Sequence, residues 1–183
     1  MALTQSQMME LGTIAPDFSL LDTVSGETLS LADIKSDIAT VIMFICNHCP
    51  FVHHVNAAMV EVANAYQAKG IQFVAISSND VRTHPQDGPT FMTRVAQREG
   101  YPFPYLYDET QEVAQAYQAA CTPDFFVFDK DLKLAYRGRF DETRPGRGVA
   151  TGADMKAALD HLLADTSVPE PHYPSMGCNI KWK

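Results

Sequence analysis

The sequence predicts an α/β domain in three layers, a mixed central sheet with helices on both faces and an N-terminal β-hairpin. Three observations carry that prediction. "ATVIMFI" (Ala39 to Ile45) and "IQFVAISS" (Ile71 to Ser78) are uncharged and rich in β-branched residues, as expected of strands covered on both faces. Between them Val52, Val55, Met59, Val62 and Tyr66 recur at steps of three and four, the period of an amphipathic helix. Later, "DFFVFD" and "KLAYRGRF" flank the turn "KDL", the pattern of an antiparallel hairpin.

Taken in order, "APDFSLLD" and "ETLSLADIK" form the first hairpin, with "TVSGE" as its turn. The strand Ala39 to Ile45 leads into a helix from Pro50 to Lys69, which Gly70 stops. After the next strand, "NDVRTHPQDGP" reads as a polar loop and Thr90 to Glu99 as a helix. "FPYLYD" is a short strand and "ETQEVAQAYQAA" a further helix. The late hairpin follows, then a closing helix, "GADMKAALDHLLAD", capped by Asp154 or Thr151. The last stretch, "PEPHYPSMGCNIKWK", is interrupted by prolines and is predicted to lie over the surface. The chain is expected to be a single domain over residues 1–183, with a core at 12–166 and a docked tail at 167–183. Cys178, Ile180 and Trp182 alternate with polar neighbours in that tail, so an edge-like extension anchored by the lone tryptophan is expected.

Composition narrows the function. Of 183 residues, 46% are hydrophobic and 20% charged, ordinary for a globular chain. A formal net charge of −8 argues against an electrostatic grip on nucleic acid. No apolar run approaches the roughly 18 residues that would span a bilayer. The first twenty residues lack a cationic region followed by a continuous apolar stretch, so no export signal is expected and the cytoplasm is the expected location. Four cysteines, Cys46, Cys49, Cys121 and Cys178, are too few for a disulfide scaffold. In a reducing compartment, paired cysteines point to catalysis or metal.

The densest cluster is "FICNHCPFVHH", Phe44 to His54. Cys46 and Cys49 stand where the central strand gives way to the long helix, the carboxyl edge of a parallel sheet where α/β sites gather. Unpaired amides and the helix dipole favour a thiolate there, and the thiolate is the attacking species. The Cys-x-x-Cys spacing lets one sulfur resolve a mixed disulfide formed at the other. His48 between them supplies charge or a hydrogen bond that stabilises the reduced form. Pro50 sits in the first helical turn, where its missing donor costs little. Metal is the rival reading: Cys46, Cys49 and His53 would supply three ligands, since His53 follows Cys49 by one turn while His54 points away. A structural zinc site normally adds a second Cys-x-x-Cys or a His pair, and neither is present.

"CTPDFFVFD", Cys121 to Asp129, adds a Thr-Pro step directly before an apolar strand. Strand, Cys-x-x-Cys, long helix and later Thr-Pro together resemble the thioredoxin superfamily. The resemblance implies a cis-proline at Pro123 packed against the active pair, with Thr122 offering its backbone to an extended partner. The closer resemblance is to peroxiredoxin-like, redoxin-type proteins of the alkyl hydroperoxide reductase/thiol-specific antioxidant group. It is carried by "APDFSLLD", "CNHCPFV", "YRGRFDETRPG", "TGADMKAALDHLL" and "GCNIKWK", in order, over nearly the whole chain. Two departures stand out. Peroxiredoxins carry Thr-x-x-Cys, whereas Cys46 takes the threonine position here and Cys49 the peroxidatic one. They also place a proline seven residues earlier, where this chain has Ile42. The buried acid of thioredoxins would align with Thr40.

The expected activity is thiol–disulfide exchange, with Cys46 as the more exposed nucleophile, Cys49 resolving, His48 tuning the couple and Thr122–Pro123 docking the partner. An atypical thiol peroxidase using Cys49 and a copper- or zinc-binding chaperone remain as alternatives. No cofactor is expected, because the sulfurs carry the electrons. Protein or small-molecule thiols and disulfides are the expected partners. Cys121 and Cys178 are candidate additional redox thiols, either bridged to each other or with Cys178 resolving. Arg137, Arg139, Arg144 and Arg147 are expected on a solvated face.

Overall fold

The structure, a computed structural model, describes residues 2–183. Its scaffold is a seven-stranded mixed sheet. The central strand β4 (Ala39–Phe44) pairs in parallel with β5 (Gln72–Ser77), which pairs in parallel with β6 (Tyr105–Tyr107). On its other side β4 pairs antiparallel with β8 (Asp124–Asp129), and β8 with β9 (Leu134–Arg137). The N-terminal hairpin of β2 (Ser19–Asp22) and β3 (Thr28–Ser30) completes the order β3-β2-β6-β5-β4-β8-β9.

Alternation explains why β4 is apolar throughout. Val41, Met43 and Ile45 face one core, and Ile42 and Phe44 face the other, because successive side chains leave a strand on opposite sides. The first core is closed by α2 (Pro50–Gln67), α3 (Pro89–Glu99) and α5 (Ala153–Leu163). Helix α2 buries Val52, Val55, Met59, Val62, Ala63 and Tyr66, each large side chain worth about 1.5–3 kcal/mol when fully buried. Gly70 takes φ +93 and turns the chain back into β5. The opposite core receives Leu31 and Ile34 of α1 (Leu31–Ile34) and Ala114 of α4 (Glu112–Ala116). Among the described residues no helix is long and apolar enough to cross a membrane.

Several local expectations are corrected. "LADI" is helical rather than extended, because Ser30 and Asp33 form a reciprocal capping box. Helix α4 is shorter than predicted: Gln118 adopts φ +54 and breaks it. Neither Asp154 nor Thr151 caps α5. Its N-cap is Gly152, whose N–H and that of Thr151 are both accepted by Asp141, while Asp154 pairs with Arg139.

A second, three-stranded sheet was not foreseen. Strand β10 (Met176–Asn179) lies between β1 (Leu3–Gln5) and β7 (Cys121–Thr122), antiparallel to both. Far from being an edge, the tail segment is therefore a central strand. Ile180 is its buried anchor, and Trp182 is 44% exposed.

Candidate functional site

Strand β4 ends at Phe44, and one more rung, Ile45 N–H to the Ile76 carbonyl at 3.0 Å, carries the ladder to the edge of the sheet. The chain then turns through Cys46, Asn47 and His48, and Cys49 becomes the N-cap of α2 with Pro50 behind it. A buried carboxylate holds this turn. Asp87, from a short 3₁₀ segment, accepts the N–H groups of Asn47 (2.8 Å) and His48 (3.2 Å). It also meets His48 Nδ1 at 2.6 Å and the Asn79 side-chain amide at 2.9 Å. Asn47 is fixed in turn, accepting from the Tyr105 hydroxyl and donating to the Gln86 carbonyl.

The two sulfurs share surroundings, but their acidities shift in opposite directions. Cys46 and Cys49 are 1% and 0% exposed, so the expected difference in exposure is absent. His84 stacks on His48 above the turn. Cys46 Sγ lies 3.7 Å from His48 Nδ1 and 3.4 Å from Thr122 Oγ1. The Cys46 thiol is pushed well up by its hydrogen bond to Cys49, by burial and by the Asp87 charge. Cys49 is pulled down to about 4: the Cys46 thiol donates to it, and Cys178, Thr122 and the Val52 amide add to that against the burial penalty. The two shifts therefore run in opposite directions, Cys49 downward and Cys46 upward, and the contact between the two sulfurs is the largest cause of both.

Thr122 spans both sulfurs, its hydroxyl beside Cys46 and its carbonyl 3.2 Å from Cys49 Sγ. The Thr122–Pro123 peptide is cis. The segment is braced by Asp124, which accepts the Ala120 N–H (3.1 Å) and pairs through both oxygens with Arg137. That corrects the expectation for Arg137. It is fully buried and lies over the Phe126 ring at 3.8 Å rather than on a solvated face.

The other two cysteines separate. Cys121 turns to the Pro123 carbonyl at 3.6 Å, and burial raises its thiol. Cys178 stands opposite Thr122 in the ladder, whereas Cys121 stands opposite Asn179. The pleat therefore puts Cys121 and Cys178 on opposite faces and rules out the bridge between them. Cys178 instead approaches Cys49, sulfur to sulfur, at 2.8 Å, and burial with that contact pushes it up to about 12.

The rival metal set of Cys46, Cys49 and His53 does not assemble. His53 Nε2 is engaged by the Asn47 carbonyl at 2.6 Å, and His54 Nε2 meets the Thr143 hydroxyl. Among the described residues the one group with metal-ligand spacing is Cys46, His48 and Asp87. There the imidazole and carboxylate already satisfy each other. Sequence reasoning missed Asp87, Asn79 and Asp124. For the first two a signal existed, since "NDVRTHPQD" leaves the carboxyl end of a buried parallel strand, where sites gather.

The chain is similar to several known proteins. A crystal structure of an uncharacterized conserved protein from Geobacillus kaustophilus is 57% identical and superposes with a TM-score of 0.98, covering 100% of this chain and 97% of that one. The thioredoxin domain of a thiol-disulfide oxidoreductase from Bacteroides vulgatus shares the fold at 18% identity, with a TM-score of 0.60 over 75% of this chain and 91% of that one. Among curated proteins, the thiol-disulfide oxidoreductase ResA of Geobacillus thermodenitrificans is 25% identical over 159 residues, 87% of this chain and 82% of that protein. Residues 11–137 match the AhpC/TSA family, and with a thioredoxin-like fold carrying the match, the chain belongs to that family.

Proposed function

We propose that this protein is a thiol–disulfide oxidoreductase working through Cys46 and Cys49. The observation that carries the reading is geometric: Cys46, in the turn, and Cys49, at the start of α2, both lie against Thr122, 3.4 Å from its hydroxyl and 3.2 Å from its carbonyl, and the downward shift of Cys49 agrees with it. The named activity of the ResA relative supports it. Since burial does not distinguish the sulfurs, the order of attack follows ionisation. Cys49 takes the first bond with the partner's disulfide, and Cys46 then closes on Cys49, releasing the partner as a thiol. Thr122 and Pro123 line the approach, and His48 with Asp87 holds the Cys46 turn.

Reduced protein mixed with glutathione disulfide tests the assignment. The wild type is expected to release two equivalents of glutathione and to form the Cys46–Cys49 bond as its first internal disulfide. Cys46→Ser is expected still to perform the first release, and Cys49→Ser to lose it at least about 100-fold. A Cys49→Ser protein reacting at the wild-type rate rejects the reading. The lowered Cys49 also favours a second reading, the thiol peroxidase. Saturable consumption of hydrogen peroxide with a thiol donor would establish it, and slow bulk oxidation would reject it.

A further inference from the structure

We propose that Cys178 is a third redox thiol of this site, exchanging with Cys46 for a disulfide bond to Cys49. The inference rests on the exchange chemistry proposed above and extends it to the far end of the chain. Three independent features of the fold bring this sulfur in. Strand β10 is hydrogen-bonded on both sides, with Cys178 opposite Leu3 on β1 and Thr122 on β7. Gly177 lets it come close, because a Cβ there would collide with the Thr122 carbonyl. Beyond the strand, the Lys181 N–H is accepted by Asn79 Oδ1 at 2.8 Å, and its carbonyl receives the Asp80 N–H and the Gln111 side-chain amide. Asn79 also grips Asp87, so one side chain ties the tail to the carboxylate that holds the Cys46 turn.

The result is a separation of 2.8 Å between Cys49 Sγ and Cys178 Sγ. A disulfide needs about 2.05 Å, so closure asks for a movement of under about 1 Å. The step is an isomerisation. The Cys178 sulfur attacks Cys49 in the Cys46–Cys49 disulfide, the Cys49–Cys178 bond forms, and the Cys46–Cys49 bond breaks. The electron pair leaves on Cys46, which takes up the proton that Cys178 gives up. No electrons enter or leave. The partner disulfide that made the first bond has already been reduced to thiols. Cys49 is thereby a hub with two alternative closures, and the oxidised protein regains a thiol at Cys46 facing His48.

Full-length Cys46→Ser, oxidised with glutathione disulfide and quenched with N-ethylmaleimide, tests this by mapping its bonds without reduction. The expected product is a Cys49–Cys178 disulfide, with glutathione adduct on less than about a tenth of the molecules. Adding Cys178→Ala to that variant is expected to raise the adduct at Cys49 at least about fivefold. A stable glutathione adduct at Cys49 with Cys178 alkylated, in a Cys46→Ser protein whose circular dichroism matches the wild type, overturns the proposal. Failure of the underlying exchange reading looks different: the wild type itself would then form neither the Cys46–Cys49 nor the Cys49–Cys178 bond under the same oxidant.

Discussion

The seven-stranded and three-stranded sheets meet at Thr122–Pro123, and they are assembled by different means. In the large sheet, β4, β5 and β8 bury both faces and are joined by helices that continue the same cores, so their pairing is announced by a local apolar pattern. The small sheet joins the two ends of the chain, with Leu3 opposite Cys178, to a strand of two residues. No periodicity advertises it. Yet the small sheet delivers the third sulfur to the pair that the large sheet positions. Stability in this molecule is concentrated in one sheet, while much of the chemical environment of Cys49 comes from the other.

The sharpest way to break that division is at the joint. Arg137→Met leaves Asp124 buried without its partner, and removal of one member of such a pair costs about 3–5 kcal/mol. Urea unfolding is expected to show a loss of that size, with much of it recovered by the double change Asp124→Leu/Arg137→Met. A loss below about 1 kcal/mol would mean the pair does not brace the joint.

Truncation within the large sheet's core comes next. Met59→Ala is expected to cost about 2–5 kcal/mol while the titration of Cys49 stays near 4. Should that titration move with the stability, scaffold and site are not separable as argued. Gly177→Ala makes the converse cut, in the small sheet. Overpacking against Thr122 is expected to cost about 1–3 kcal/mol and to raise the Cys49 titration, because the Cys178 donor is pushed back. An unchanged alkylation profile would show that the close approach of β10 does not govern Cys49.

The most direct effect on the site is protonic. Alkylation of Cys49 is expected to hold its rate as pH falls from 8 and to drop as pH approaches about 4. Cys46→Ala, lacking the thiol donor, should shift that drop upward. The sign for stability follows from the depressed value. Ionisation of Cys49 stabilises the fold fully above the unfolded thiol's value of about 8.5, and this is lost as pH falls towards 4. Cys178, raised to about 12, acts in the opposite sense, its contribution present at lower pH and lost as pH rises above the unfolded value. A denaturation midpoint flat between pH 8 and pH 4 would contradict the assignment at Cys49.

By itself the sequence determined the layered α/β scaffold and the place of the sulfur pair. Apolar periodicity in β4, α2 and β5 and the proline after Cys49 are local signals, each readable within one or two turns of chain. It also marked Thr122–Pro123, through the resemblance to thioredoxins that a Thr-Pro step before an apolar strand carries. Only the tertiary structure decided what surrounds the two sulfurs, because Asp87 comes from 38 residues beyond Cys49 and Cys178 from 129 beyond it. It likewise decided that Arg137 is interior and that the tail is a central strand. Charge and burial are set by what surrounds a group in space, and contacts that cross such separations leave no period or spacing in the chain.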